Sequence, residues 1–293
     1  MSIKLLMKVH CFMVFVFMLP NFVSASDKFK VFDSTLYKNP ERSSGIGIPG
    51  AKKSGFEVLD LIYSGNLYKK DGNHKKMMEQ PPGNDAVTRS LEILKKNSGD
   101  FQYVCLDFEN WPLEKGDEKK LDVNINKYIQ TVKSYKKQMP GVKFGFYSML
   151  PVRNYYGAIE GEGTDKYIAW QGLNNKLKSL ASNVDIIYPS LYTFSSNKND
   201  WFKYAVENIK EARRYGKPVY VFLWPQYHPS VHFIGLDFVS ADLWKFQLET
   251  AFQYADGVVI WGGWDHDENK QLEWDAKAEW WVVLKQFMEK ISK

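Results

Sequence analysis

The feature that most constrains this chain is a rhythm. Short apolar runs recur along it, and stretches with helical periodicity lie between them. The runs occupy residues 29–32, 58–62, 103–108, 143–147, 184–188, 219–223 and 257–261. The helical patterns cover 85–96, 123–138, 167–181, 200–215, 240–254 and 275–291. In the first of these, Val87, Leu91 and Leu94 recur at the spacing of one helix face, with Asn84 or Asp85 placed to cap it. Strands separated by helices join as parallel βαβ units. About seven strands favour a closed (β/α) barrel of the TIM type, and 293 residues suit one such barrel as a single domain. No glycine-rich phosphate loop follows the first run, which weakens the open nucleotide-binding sheet. The expected class is α/β, with residues 26–293 forming one (β/α)-barrel catalytic domain.

Residues 1–25 follow another plan. Lys4 and Lys8 give a basic start, an apolar run extends from Cys11 to Leu19, and Val23-Ser24-Ala25 ends in small residues. This is the tripartite pattern of a secretory signal cut after Ala25. The apolar run is about half the length a membrane span needs, which disfavours an uncleaved anchor. No later stretch is apolar for long enough to cross a bilayer, so no stable membrane insertion is expected after cleavage. The expected destination is extracytoplasmic, secreted or periplasmic. A net charge of +5, lower still without Lys4 and Lys8, is too weak to argue for nucleic acid. Loss of Cys11 leaves Cys105 alone, so no internal disulfide is expected.

Barrels gather their chemistry at the carboxyl ends of the strands. The strongest candidate there is Tyr103-Val-Cys-Leu-Asp107-Phe-Glu109-Asn-Trp111. Alternation along a strand sends Val104, Leu106 and Phe108 toward the outer helices, and Cys105, Asp107 and Glu109 toward the interior. Two neighbouring inward acids cost desolvation and mutual repulsion, and no cation nearby in sequence offsets that. The same proximity separates their acidities. Glu109, nearer the mouth, is expected to hold a proton as general acid while Asp107 stays ionised.

Three other strand ends deliver rings. Tyr147 follows the outward Phe144 and Phe146, Tyr188 and Tyr192 close the fifth run, and Trp261 ends the last, followed by Trp264 and Asp265. Aromatic faces stack on the C–H faces of sugars, and phenols supply directed hydrogen bonds. Pro229 between His228 and His232 argues against a helical metal face, and neither metal nor cofactor is expected. No G-x-S-x-G elbow supports a serine hydrolase. Trp280 and Trp281 on the final helical pattern are expected to lock it onto the barrel.

Taken in order, Asp107-Phe-Glu109-Asn-Trp111, Gly145-Phe-Tyr147, Tyr188-Pro-Ser-Leu-Tyr192 and Val258-Val-Ile-Trp261-Gly-Gly-Trp264 resemble the motifs of the hyaluronidase family of glycoside hydrolases. The resemblance runs from about Val58 to Trp264. It implies a distorted barrel of seven to eight strands. It also implies a retaining mechanism in which the substrate's own 2-acetamido oxygen is the nucleophile. On that resemblance Glu109 is the acid/base and Asp107 orients the acetamido group. Tyr192 and Tyr147 bond around that group, and Trp261 lies under the ring. Trp111, Tyr188, Trp264, Asp265 and His228 complete the expected substrate contacts. Two departures stand out: Pro112 follows Trp111 directly where the family has an arginine, and His228 stands where it has an acid.

The expectation is an exported glycosidase acting on glycans that contain N-acetylhexosamine. Two rivals remain: a muramidase-like glycosidase, and a carbohydrate-binding pseudoenzyme on the same barrel.

Overall fold

Each of the seven apolar runs lies beside its neighbour in parallel. In the computed structural model, which describes residues 29–67, 78–98, 101–114 and 117–292, β1 is Lys30–Asp33, β2 Glu57–Val58, β3 Asp60–Tyr63, β4 Tyr103–Asp107, β5 Lys143–Phe146, β6 Tyr220–Leu223 and β7 Gly257–Ile260. The signal segment expected over residues 1–25 lies outside the described residues.

The strands form two parallel ladders, β2-β1-β7-β6 and β3-β4-β5. Two seams join them. At the first, β2 and β3 are one run interrupted at Leu59, whose carbonyl accepts from the Ser34 hydroxyl at 3.1 Å. At the second, residues 185–190 lie between β5 and β6. There Asp185 N–H donates to Phe144 O, Ser148 N–H to Tyr188 O, Tyr220 N–H to Ile187 O and Phe222 N–H to Pro189 O, all within 3.0 Å. The circuit therefore closes as a seven-membered (β/α) barrel. The fifth run, expected as a strand, is held by isolated bridges instead of a continuous ladder. Pro189 has no N–H to give, and Pro218, whose carbonyl accepts from Ile187 N–H, has none either.

The helices are α1 (Asn84–Ser98), α2 (Glu118–Gln138), α3 (Tyr155–Glu160), α4 (Asp165–Lys176), α5 (Lys178–Ala181), α6 (Lys198–Arg213), α7 (Ala241–Tyr254) and α8 (Glu279–Ile291). Side-chain caps set several starts: Asp117 accepts from Lys120 N–H, Thr164 from Tyr167 N–H and Ser240 from Leu243 N–H. The helix expected over 167–181 is two helices. The buried Asn174 accepts from Val152 N–H on its side-chain oxygen, and its carbonyl accepts from Leu177 N–H in a tightened last turn. The last helix starts at Glu279, not at 275, because Asp275 is spent on a turn, accepting from Lys277 N–H.

Between β1 and β2 the described chain forms no α-helix. Residues 34–56 instead wrap around a buried ion pair, Asp33 with Arg42 at 2.6 Å. Asp33 also accepts from Thr35 and Ile48 N–H, so its charge is fully bonded.

Alternation sorts the side chains into two cores. Val31, Val104, Leu106, Phe144, Phe146, Val221, Val258 and Ile260 pack outward under the helices. Phe32, Leu59, Cys105, Ile186, Tyr188, Tyr220, Phe222 and Val259 fill the ring. Trp280 and Trp281 are buried at the start of α8, with the Trp280 carbonyl bonded by Trp244 of α7, so they lock the last helix in place.

Candidate active site

The carboxyl ends of the strands carry a carboxylate pair and a ring of aromatics. Asp107 closes β4, and its register partner on β3 is Tyr63. Both continue the inward sequence of their strands, Leu59-Leu61-Tyr63 and Tyr103-Cys105-Asp107. Glu109 stands two residues further on, exposed at the rim, while Asp107 is partly buried below it. Burial raises the Asp107 carboxyl to about 7, and the negative charge of Glu109 adds to that rise. The sequence reading placed the pair's proton on Glu109 and the charge on Asp107. The structure instead raises Asp107, because it is the deeper of the two and pays the larger desolvation cost.

Around the pair stand Tyr63, Tyr147, Tyr192, Trp224 and Trp261. The Tyr192 ring stacks on Trp261 with centroids 5.8 Å apart, and Trp224 meets Trp261 edge-on at 4.9 Å. Tyr192 also lies 6.0 Å from Tyr147. The Tyr147 hydroxyl donates to Ser190 Oγ at 3.0 Å, which fixes the phenol's direction. Trp261 Nε1 donates to the Tyr63 hydroxyl at 3.4 Å. Burial pushes the phenols of Tyr63, Tyr147 and Tyr192 upward, and the Asp107 charge pushes the same way, so all three stay protonated donors.

Five of the ten expected site residues thus meet here: Asp107, Glu109, Tyr147, Tyr192 and Trp261. The other five lie beneath or around them. Tyr188 is completely buried beneath the cleft, 6.2 Å from the Tyr220 ring. It faces inward as expected, but four residues deeper than Tyr192. Trp111 is only 2% exposed and belongs to the outer core. The strand ends at Asp107, so its alternation no longer governs Trp111; the indole packs against Tyr128 at 4.9 Å and donates to Met78 O. Trp264 and Asp265 form β8 (Trp264–Asp265), paired antiparallel with β9 (Lys270–Gln271). Asp265 spends its carboxylate on that turn, accepting from Asp267 and Glu268 N–H.

His228 sits at the rim against Phe194, ring centroids 4.3 Å apart. Burial first, then the nearby charges of Arg153 and His266, lower it to about 4. His266 in turn lies 5.6 Å from Trp224 and 6.3 Å from Trp261. Tyr63 and Trp224 are not among the residues expected at the site, although each ends an inward alternation, Leu59-Leu61-Tyr63 and Tyr220-Phe222-Trp224. Among the described residues no group of His, Cys, Asp and Glu could hold a metal ion, and no helix is long and apolar enough to cross a membrane.

Fold and site together define a (β/α) barrel with paired carboxyls and an aromatic wall at its carboxyl-end mouth. Solved structures with this fold include bee venom hyaluronidase, 15% identical, with a TM-score of 0.57 over 89% of this chain and 97% of that one. The same enzyme in complex with a hyaluronic acid tetramer gives a TM-score of 0.54, at 15% identity over 90% and 96% of the two chains. The endo-β-1,4-mannanase of Thermotoga petrophila gives 0.53 at 13% identity, over 82% of this chain and 59% of that one. No protein-family profile matches the chain, and no curated protein matches it.

Proposed function

We propose that this protein is an exported glycoside hydrolase acting on glycans that contain N-acetylhexosamine, by a retaining route in which the substrate supplies the nucleophile. One observation carries the reading: a partly buried carboxyl and an exposed one, two residues apart, sit beside the stacked Tyr192–Trp261 pair. A sugar ring over Trp261 would lie with its acetamido group toward Asp107, Tyr147 and Tyr192.

The chemistry follows from the pair sharing one proton. Before substrate binds, Asp107 competes for that proton because its charged form is poorly solvated. A bound acetamido N–H donates to Asp107 and favours its ionised form, and the proton passes to Glu109. Glu109 then protonates the glycosidic oxygen while the acetamido oxygen attacks C1, and the C1–O bond breaks. The cyclic intermediate carries positive charge, which the Asp107 carboxylate balances. Water next attacks C1 and gives its proton to Glu109, and the acetamido ring reopens with net retention.

Glu109→Gln keeps the shape and removes the transferable proton. Turnover on a panel of hyaluronan, chitin oligomers and peptidoglycan is expected to fall by about 10²–10⁴, with an unchanged melting temperature because Glu109 is exposed. Equal turnover in that variant removes Glu109 from the mechanism. Release from peptidoglycan alone favours a muramidase, and binding without release favours a pseudoenzyme.

A further inference from the structure

Beyond β6 the chain leaves the barrel as a finger, residues 227–238. It is closed at its base, where Tyr227 N–H donates to Asp237 O at 2.9 Å and Leu236 N–H to Tyr227 O at 3.0 Å. At its tip Phe233 is 93% exposed. The neighbouring His232 ring stacks on it at 3.9 Å with an interplanar angle of 27°, so the imidazole backs one face of the phenyl ring and leaves the other face open. Phe233 and Leu236 hold φ of +67° and +73°, conformations that side chains adopt at a cost. An exposed phenylalanine gains nothing from folding by sitting in that conformation. The finger is also wired to the cleft. Gln226 Nε2 donates to Leu236 O at 2.6 Å, and Gln226 Oε1 accepts from Trp224 Nε1 at 2.8 Å. Trp224 is the ring set edge-on against Trp261. His228 at the finger's root is held on its Nδ1 side by the Ser230 N–H and hydroxyl.

We propose that the finger is a distal subsite for the same glycan chain whose reacting ring lies over Trp261, with the open face of Phe233, backed by His232, as its stacking platform. This rests on the glycosidase reading above. It assigns the protein a polymer as substrate, held at two places, in preference to a short oligosaccharide. Continuity argues for this occupant: one hydrogen-bonded path, Trp224–Gln226–Leu236, ties the base of the finger to the aromatic wall of the cleft.

The test is a comparison of KM for high-molecular-mass hyaluronan and glycol chitin with KM for their tetrasaccharides, in wild type, Phe233→Ala and Phe233→Trp. On the polymer that wild type cleaves, Phe233→Ala is expected to raise KM roughly three- to tenfold, the scale of one aromatic stack. Its kcat and its tetrasaccharide KM stay at wild-type values, and Phe233→Trp restores polymer KM. An unchanged polymer KM in Phe233→Ala overturns the subsite and leaves the glycosidase standing. Co-sedimentation of wild type with anionic lipid vesicles, lost in Phe233→Ala while polymer KM is unaltered, overturns it in favour of a lipid-binding tip. Wild type that cleaves none of these probes overturns the subsite, and wild type that also leaves peptidoglycan intact overturns the glycosidase reading with it.

Discussion

Asp107 is the residue at which position and chemistry meet most closely. Its carboxyl stands at about 7 in the folded protein, against about 3.9 in an unfolded chain. Between those values the native state binds more protons than the unfolded one, so this group's contribution to stability falls as pH rises from about 4 to about 7 and is constant beyond. Thermal unfolding at pH 5 and pH 8 is expected to show the fall in wild type, and Asp107→Asn should lose part of it, melting a few degrees higher than wild type at pH 8. An identical pH dependence in the two proteins contradicts the buried, proton-holding Asp107. The inward direction of Asp107 was legible because strand alternation extends as far as the strand does. Trp111 was not, since it lies beyond the strand end, where its environment is set by Tyr128 and Met78, both distant in sequence.

At the scale of the element, sequence periodicity located the strands and helices, while their interruptions came from single side chains reaching across the fold. Asn174 divides α4 from α5 by bonding the backbone of residue 152, a contact no local pattern announces. β5 carries a sharper constraint. Gly145 faces inward, and a Cβ there would lie 2.3 Å from Ile186 O and 2.8 Å from the Tyr188 ring. Neither the backbone oxygen nor the completely buried phenol can retreat. Gly145→Ala is expected to destabilise the fold by about 3 kcal/mol or more, above the usual cost of an overpacked core, read as a drop in denaturant midpoint. A midpoint equal to wild type would mean that the seam beside β5 is looser than these distances describe. The motif Gly145-Phe-Tyr147 thus owes its glycine to the close approach of the next strand segment and its tyrosine to the cleft above.

Over the whole molecule, the number of strands and their parallel order were readable from spacing, because each crossover must be long. Closure of the ring was not, since it depends on two seams, at Leu59 and at residues 185–190, where hydrogen bonds pass between segments with no ladder pattern. The loop of 34–56 is equally opaque: it replaces a helix by folding around the Asp33–Arg42 pair, and that pairing is visible only in three dimensions. Cys105 shows what a closed ring means for reagents. Its thiol is wholly enclosed on β4, two residues below Asp107, and burial followed by the Asp107 charge pushes it well above its ordinary value. Alkylation therefore needs the thiolate, and the thiolate needs the barrel to open. Iodoacetamide is expected to leave Cys105 unmodified in native buffer and to label it at the rate the strands part, so one sulfur atom serves as an internal clock for unfolding. Rapid labelling without denaturant would place the sulfur on an accessible surface.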